Sequence, residues 1–417
     1  MSLSGVSDEH EAHAAAAAAA RRSYGRLVAL LSARTRDVAG AEDALSEAFA
    51  AALADWPKSG VPRSPEAWLL AAARRRSIDA ARRRRTAAEA GGHVQLLAEE
   101  MAAMAEETAP IPDERLSLMF ACAHPAIEAS IRAPLILQTV LGFDAASVAS
   151  AFLVAPATMG QRLARAKAKI KLAGIPFRTP EREDMAERLD AVLAAIYAAF
   201  AEGWSDPAGA EAKRRNLAEE AIWLGRLIAE LLPNEAEALG LLALMLYSDA
   251  RRGARRDQEG EFVPLAEQDP ACWDERMIAE AESLLSRAHG YGAIGRYQLE
   301  AALQSAHVAR RLGRGVDWPA IVTLYDALCR VTGSPVAAIN RAVALAEAQG
   351  AAAGLAALAA MAGDERLAQY QPYWAARAEL LARTGERAEA QAAYDQAIGL
   401  EADPAVRRFL QRRRAAV

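Results

Sequence analysis

The residues of this chain best equipped for chemistry are arginines. Between Ser64 and Arg85 the sequence holds Arg74, Arg75, Arg76, Arg82, Arg83, Arg84 and Arg85, and past the first turn only Asp79 opposes them. Guanidinium forks grip phosphate oxygens and stack on unpaired bases, so the chemistry is polyanion binding rather than bond making. Ser64-Pro65-Glu66 reads as an N-cap, a first-turn proline and an acid that complements the positive helix end. The helix that follows has Trp68, Ala71 and Ile78 on one face and is cationic elsewhere. An isolated arginine run is usually a solvated face. On a structured helix beside an anchoring tryptophan it favours nucleic acid.

A second basic helix is expected at residues 157–171, after a short helix that starts at Phe143-Asp144 and a break at residues 153–156. Short helix, tight turn and longer basic helix make a helix-turn-helix pattern. Met159, Leu163, Ala166 and Ile170 face the core at helical spacing, which turns Thr158, Gln161, Arg162, Arg165 and Lys169 outward. Gly160 weakens this helix by up to ~1 kcal/mol relative to alanine. An ordinary amphipathic helix would show the same face, and the companion basic helix tips the balance towards DNA.

Upstream, residues 41–53 form an acidic helix in which Leu45, Phe49 and Leu53 recur every four residues and Glu42, Asp43 and Glu47 lie off that stripe. Glu42 near the helix start suits the dipole. Asp43 and Glu47 repel mildly at i and i+4, which fits a docking surface for a basic partner better than a stabilising device. The turn-rich stretch from Trp56 through Lys58 to Arg63 is expected as a loop able to hold a pocket.

No catalytic or metal constellation emerges. Cys122 and His124 are separated by a single alanine with no second ligand pair nearby, which reads as a buried thiol and a capping or core histidine. Cys122, Cys272 and Cys329 are too scattered for a disulfide framework. No cofactor is expected.

The 417 residues are 53% hydrophobic, alanine-rich and poor in strand-like alternation, which predicts an all-α chain of about three domains. No stretch has the continuous apolar character of a membrane span, so a cytoplasmic protein is expected. The net charge of −5 conceals a division: residues 1–178 carry +3 and the remainder −8. Residues 1–20 read as a frayed alanine leader without an amphipathic face. Residues 89–112, polar and ending in Pro110-Ile111-Pro112, read as a linker.

From Pro180 the pattern is one of helical hairpins. Gly385, then Ala390, Tyr394 and Ala397, with Trp374 before and Pro404 after, follow the tetratricopeptide pattern. A weaker relative surrounds Trp318, Tyr325, Pro335 and Asn340, and a long polar excursion interrupts the helices at residues 251–270. Stacked hairpins make a concave surface, with Asp249, Arg251, Gln268, Asp269, Tyr297, Gln298, Asn340 and Arg341 as candidate lining for a partner or ligand groove.

Taken in order, these segments resemble bacterial RNA polymerase sigma factors of the extracytoplasmic-function type. Residues 41–49 look like the polymerase-binding helix, 68–85 like the minus-ten helix, and 157–167 like the minus-thirty-five recognition helix. Cys122-Ala123-His124-Pro125, Asp249-Ala250-Arg251-Arg252, Tyr297-Gln298-Leu299 and Asn340-Arg341-Ala342-Val343 resemble the subgroup with a C-terminal tetratricopeptide-like extension.

The resemblance implies a non-enzymatic transcription initiation factor that binds core RNA polymerase and promoter DNA. Glu42, Asp43, Glu47 and Phe49 would dock on polymerase. Trp56, Lys58, Arg63, Trp68, Arg74, Arg75, Arg76, Arg82 and Arg83 would serve the minus-ten element, with the loop from Trp56 to Arg63 capturing a flipped base. Thr158, Gln161, Arg162, Arg165 and Lys169 would read the minus-thirty-five element. The implied order is a leader at 1–20, sigma region 2 at 21–88, the linker at 89–112, sigma region 4 at 113–175 and a regulatory tetratricopeptide-like domain at 176–417. A small YCII-related protein or an unknown ligand is the expected partner of that last domain. Two alternatives stand beside this reading: a stand-alone helix-turn-helix regulator with a protein-interaction repeat domain, and a helical-repeat enzyme around Asp249, Tyr297 and His307.

Overall fold

The computed structural model describes residues 3–86, 114–152, 154–204, 212–309 and 315–417. The linker expected at 89–112 lies outside them. The fold is all-α. Among the described residues there is no strand, only an isolated antiparallel bridge between Arg256 and Phe262. The chain divides into two compact units, Met1–Ala199 and Phe200–Val417. The first takes in both segments expected as separate sigma domains.

In the first unit, α1 (Leu3–Thr35) is followed by α2 (Val38–Ser59) and α3 (Pro65–Thr86), which pack on it and on each other. The frayed leader is a correction: residues 3–20 are the first half of α1, and Ala12, Ala16 and Ala19 are buried at helical spacing. Alanine provides little hydrophobic contrast in sequence, yet it packs a helix closely. Asp37 caps α2 by accepting from the Gly40 N–H at 3.0 Å.

The stripe of α2 is rotated from expectation. The buried positions are Val38, Ala41, Ala44, Leu45, Ala48, Ala52 and Trp56, whereas Phe49 is half-buried and Leu53 exposed. Small side chains face the neighbouring helices because they permit close approach. In α3 the deepest residues are Leu69, Leu70 and Ala73, with Trp68, Ala71 and Ile78 at the margin.

Next come α4 (Arg115–Cys122), α5 (Ala129–Leu141), α6 (Ala145–Ala151) and α7 (Pro156–Leu172). Gly25 brings α1 against α5 so closely that a Cβ there would lie 1.9 Å from the Val140 carbonyl oxygen. Helices α6 and α7 form the expected helix-turn-helix pair, with the Ser147 N–H bonded to Asp144 Oδ1 at 2.7 Å and Pro156 opening α7. Cys122 is fully buried against Thr139, its thiol pushed up to about 12 by that burial, and His124 Nδ1 accepts from the Ala126 N–H. The division between units falls inside α8 (Arg182–Trp204).

The second unit continues through α9 (Ala212–Leu231), α10 (Ala236–Ala250), α11 (Glu275–Gly290), α12 (Arg296–Val308), α13 (Trp318–Thr332), α14 (Pro335–Gln349), α15 (Ala351–Ala359), α16 (Gln371–Thr384), α17 (Arg387–Leu400) and α18 (Pro404–Ala415). Helix α10 is buried along nearly its whole length, the mark of a central helix. The α16–α17 hairpin turns at Gly385, φ +89°, and packs Ala390, Tyr394 and Ala397 in one cluster with Ala378 and Leu381. The polar excursion after α10 is ordered: Asp257 Oδ1 accepts from the N–H groups of Glu259 and Glu261, and α18 holds the loop through Arg408 and Arg412 on Glu261.

Candidate nucleic-acid and polymerase interface

The acidic helix and the arginine helix lie side by side. Glu47 on α2 accepts from Arg76 Nη1 on α3 at 2.8 Å. Both side chains are largely exposed, 41% for Arg76 and 55% for Glu47, so water screens the pair and its net contribution is small. Asp43 points to solvent. Glu42 does not: its carboxylate is bonded to Lys167 of α7, with side-chain exposures of 15% and 9%. Burial pushes the Glu42 carboxyl above the usual range, and Lys167 only partly offsets it. A second pair, Lys171 with Asp37, reinforces the contact of α7 with the start of α2.

Trp56 requires a correction. Helix α2 runs through Pro57 to Ser59, so Trp56 is not in a loop, and at 2% exposure it is not available to a base. Its ring meets Trp68 edge-on, centroids 5.5 Å apart, and its indole N–H has no partner among the described residues. The exposed charged residues here are Lys58 in the last turn of α2 and Arg63 in the α2–α3 connection. Proline late in α2 was the signal read as a loop, but Pro57 sacrifices only one backbone bond in the last turn.

Along α3 the arginines divide. Arg75 is exposed, Arg76 turns to Glu47, and Arg74 joins Arg34 on the wall of a cavity of about 320 Å³ shared with Leu30, Leu31, Thr35, Ser77 and Ile78. Arg82 and Arg83 belong to α3, and their side chains lie outside the described ones.

On α7, Met159, Leu163, Ala166 and Ile170 are buried as the spacing predicts, and Thr158, Gln161, Arg165 and Lys169 are exposed. Arg162, Arg165 and Lys169 share a cleft of about 180 Å³ with Glu128. Arg162 Nη2 donates to Glu128 at 3.1 Å and also to Ser130, and these groups hold the Glu128 carboxyl below its usual range. Lys167 and Glu128 were missed as functional neighbours. The signal for Lys167 was its phase, four residues after Leu163 and three before Ile170, which puts it on the apolar face.

Comparison with known proteins bears on the first three helices of this unit. Residues 19–87 match Sigma-70 region 2, covering the second half of α1 and all of α2 and α3. Residues 188–289 match a family of unknown function, DUF6596. An uncharacterized protein of Rhizobium meliloti (strain 1021) is 39% identical over 364 residues, 86% of each chain. The chain belongs to that protein's family. No solved structure matches it. The Sigma-70 region 2 match supports a sigma-factor-like role in transcription initiation. Among the described residues no helix is long and apolar enough to cross a membrane.

The C-terminal candidates do not form one groove, which corrects that expectation. Tyr297 and Gln298 are buried where α12 meets α10, and the Gln298 N–H donates to Glu237 Oε1 at 3.1 Å. Gln268 is buried in the loop and donates to the Val263 carbonyl, while Asp269 caps the turn at Pro270–Cys272. Arg341 pairs with Asp326, and Asn340 borders a separate cavity of about 340 Å³ with Trp318 and Tyr325. Asp249 and Arg251 stand with Arg252, Arg255 and Arg256 at the end of α10. Polar residues of helix termini and packing seams look like binding groups in sequence because both need hydrogen-bonding side chains.

Proposed function

We propose that the protein is a sigma factor of the extracytoplasmic-function type, whose region 2 domain docks on core RNA polymerase through the outer face of α2 and whose α7 reads a minus-thirty-five element. The observation that carries this reading is the Sigma-70 region 2 match over residues 19–87 in the same compact unit as the α6–α7 helix-turn-helix. Asp43 and Glu47 supply the exposed charge for docking, Phe49 the adjoining apolar contact, and Lys58, Arg63 and Arg75 the cationic approach to the melted strand. Thr158, Gln161, Arg162, Arg165 and Lys169 present the outward face of α7 to the major groove. The C-terminal helical hairpins, tetratricopeptide-like in pattern, serve as an in-chain regulator.

This reading gives the α2–α7 contact a consequence. While Lys167 holds Glu42 and Lys171 holds Asp37, the recognition helix covers part of the polymerase-binding helix, so docking through Glu42 requires α7 to leave α2.

Co-elution with core polymerase tests the docking. The full chain binds core, and Asp43→Arg with Glu47→Arg abolishes binding while leaving the helical content intact. Binding of duplex promoter DNA at full strength without polymerase, together with no affinity for core, would replace the reading with a helix-turn-helix regulator.

A further inference from the structure

At the end of α10 the chain makes a tight 3-10 turn, Arg252–Arg255, that gathers four guanidiniums: Arg251, Arg252, Arg255 and Arg256. Each is half-buried. Two have carboxylates. Arg252 Nε donates to Asp249 Oδ1 at 2.6 Å, and Arg256 is paired with Asp403. Among the described residues the other two have neutral hydrogen-bond partners only. Arg251 donates to the Tyr247 carbonyl oxygen and to Gln304 Oε1, and Arg255 Nη1 donates to the Trp204 carbonyl oxygen at 3.0 Å.

Counted over the described residues, the cluster therefore carries an excess of two positive charges in a site partly withdrawn from water. Burial and the neighbouring Arg255 bring the Arg251 guanidinium down to about 10, and burial with Arg256 and Arg252 lowers Arg255 as well. Charges withdrawn from water persist when something compensates them.

The arrangement is held rather than accidental. The Trp204 ring lies under Arg255, 4.5 Å from guanidinium to centroid, and under Arg252 at 5.5 Å, and Phe200 stacks on the same ring. A tryptophan face orients two like charges that would otherwise diverge. Of the five N–H donors on each guanidinium, Arg252 and Arg255 spend one each on described hydrogen bonds, and Arg252 Nη2 is buried with no partner among the described residues. Unspent donors on forks held against one ring suit the oxygens of a phosphate or carboxylate.

We propose that Arg251, Arg252 and Arg255, set against Trp204, form a binding site for a small dianion, a phosphate monoester or a dicarboxylate. The two excess charges set the ligand's charge. The site lies within the segment that matches the family of unknown function, and it does not depend on the sigma reading.

Binding to the full chain, without polymerase, is the test. Phenyl phosphate is titrated at constant ionic strength and followed by phosphorus NMR line broadening, with succinate and a single-stranded oligonucleotide as competitors. The wild type binds phenyl phosphate saturably at one site. Arg251→Met and Arg255→Met each weaken that binding at least tenfold, and Arg226→Met, which removes a guanidinium paired with Glu280 elsewhere in the same unit, does not. Competition by succinate extends the class to dicarboxylates, and its absence restricts the site to phosphate monoesters. No saturable binding to the wild type overturns the proposal, as does equal loss in Arg226→Met or binding of the oligonucleotide alone. Where a methionine variant loses its helical signal, Arg255→Lys replaces it: the charge remains, the fork is gone, and unchanged affinity again overturns the site.

Discussion

The ammonium of Lys167 on the helix-turn-helix motif is bonded to the carboxylate of Glu42 on the region 2 domain, with both side chains mostly withdrawn from solvent. A pair of this kind is expensive to break from one side, because the remaining charge stays buried. Lys167→Met is expected to destabilise the protein by about 2–3 kcal/mol, and Glu42→Gln with Lys167→Met to recover most of it. Thermal unfolding of the three chains checks this.

The same pair carries a pH signature. Burial raises the Glu42 carboxyl, so its folded state favours the proton more than the unfolded state does. The stabilisation from that group is complete below its unfolded pKa and is lost as pH rises through the folded one. Without Lys167 the carboxyl rises further. The deficit of Lys167→Met is thus largest at neutral pH and shrinks towards pH 5, whereas the double variant shows no such trend. Thermal scans across that window distinguish them.

Gly160 and Gly25 separate two uses of glycine. A Cβ at Gly160 meets nothing within 4 Å, so Gly160→Ala in the interior of α7 is expected to stabilise by up to about 1 kcal/mol. At Gly25 the same methyl would overlap the Val140 carbonyl, and Gly25→Ala is expected to destabilise by about 1–3 kcal/mol as α1 is forced from α5. Opposite shifts in melting temperature are the readout.

Trp56 and the α2–α3 turn make a contrast in DNA binding. Trp56 is in the core with an unpartnered N–H, so Trp56→Phe trades lost apolar area against relief of that group and stays within about 1 kcal/mol of wild type. Promoter preference is unchanged. Lys58→Ala and Arg63→Ala, both at exposed positions, weaken holoenzyme binding across promoter sequences and lower its salt dependence. Footprinting at two salt concentrations reads both effects.

The all-α class, the buried face of α7 and the Gly385 hairpin were legible in the sequence, because apolar side chains recur there at helical spacing with a glycine at the turn. The first half of α1 and the phase of α2 were not. Their faces are built from alanine, whose periodicity is faint beside that of Leu45, Phe49 and Leu53. Lys167 was hidden for a different reason: its partner Glu42 is 125 residues away, and no local pattern connects the two. The arginine turn after α10 was visible only in part, as Asp249, Arg251 and Arg252, since its meaning depends on how Trp204 sits against it and on how many carboxylates reach it.

The most direct test of the sigma reading is promoter-specific transcription with core polymerase on a template pool that includes the gene's own upstream region, comparing the full chain with Asp43→Arg/Glu47→Arg. The account predicts discrete initiation sites with the full chain and none with the double variant. No specific transcript from the full chain, or identical transcripts from both, would contradict it.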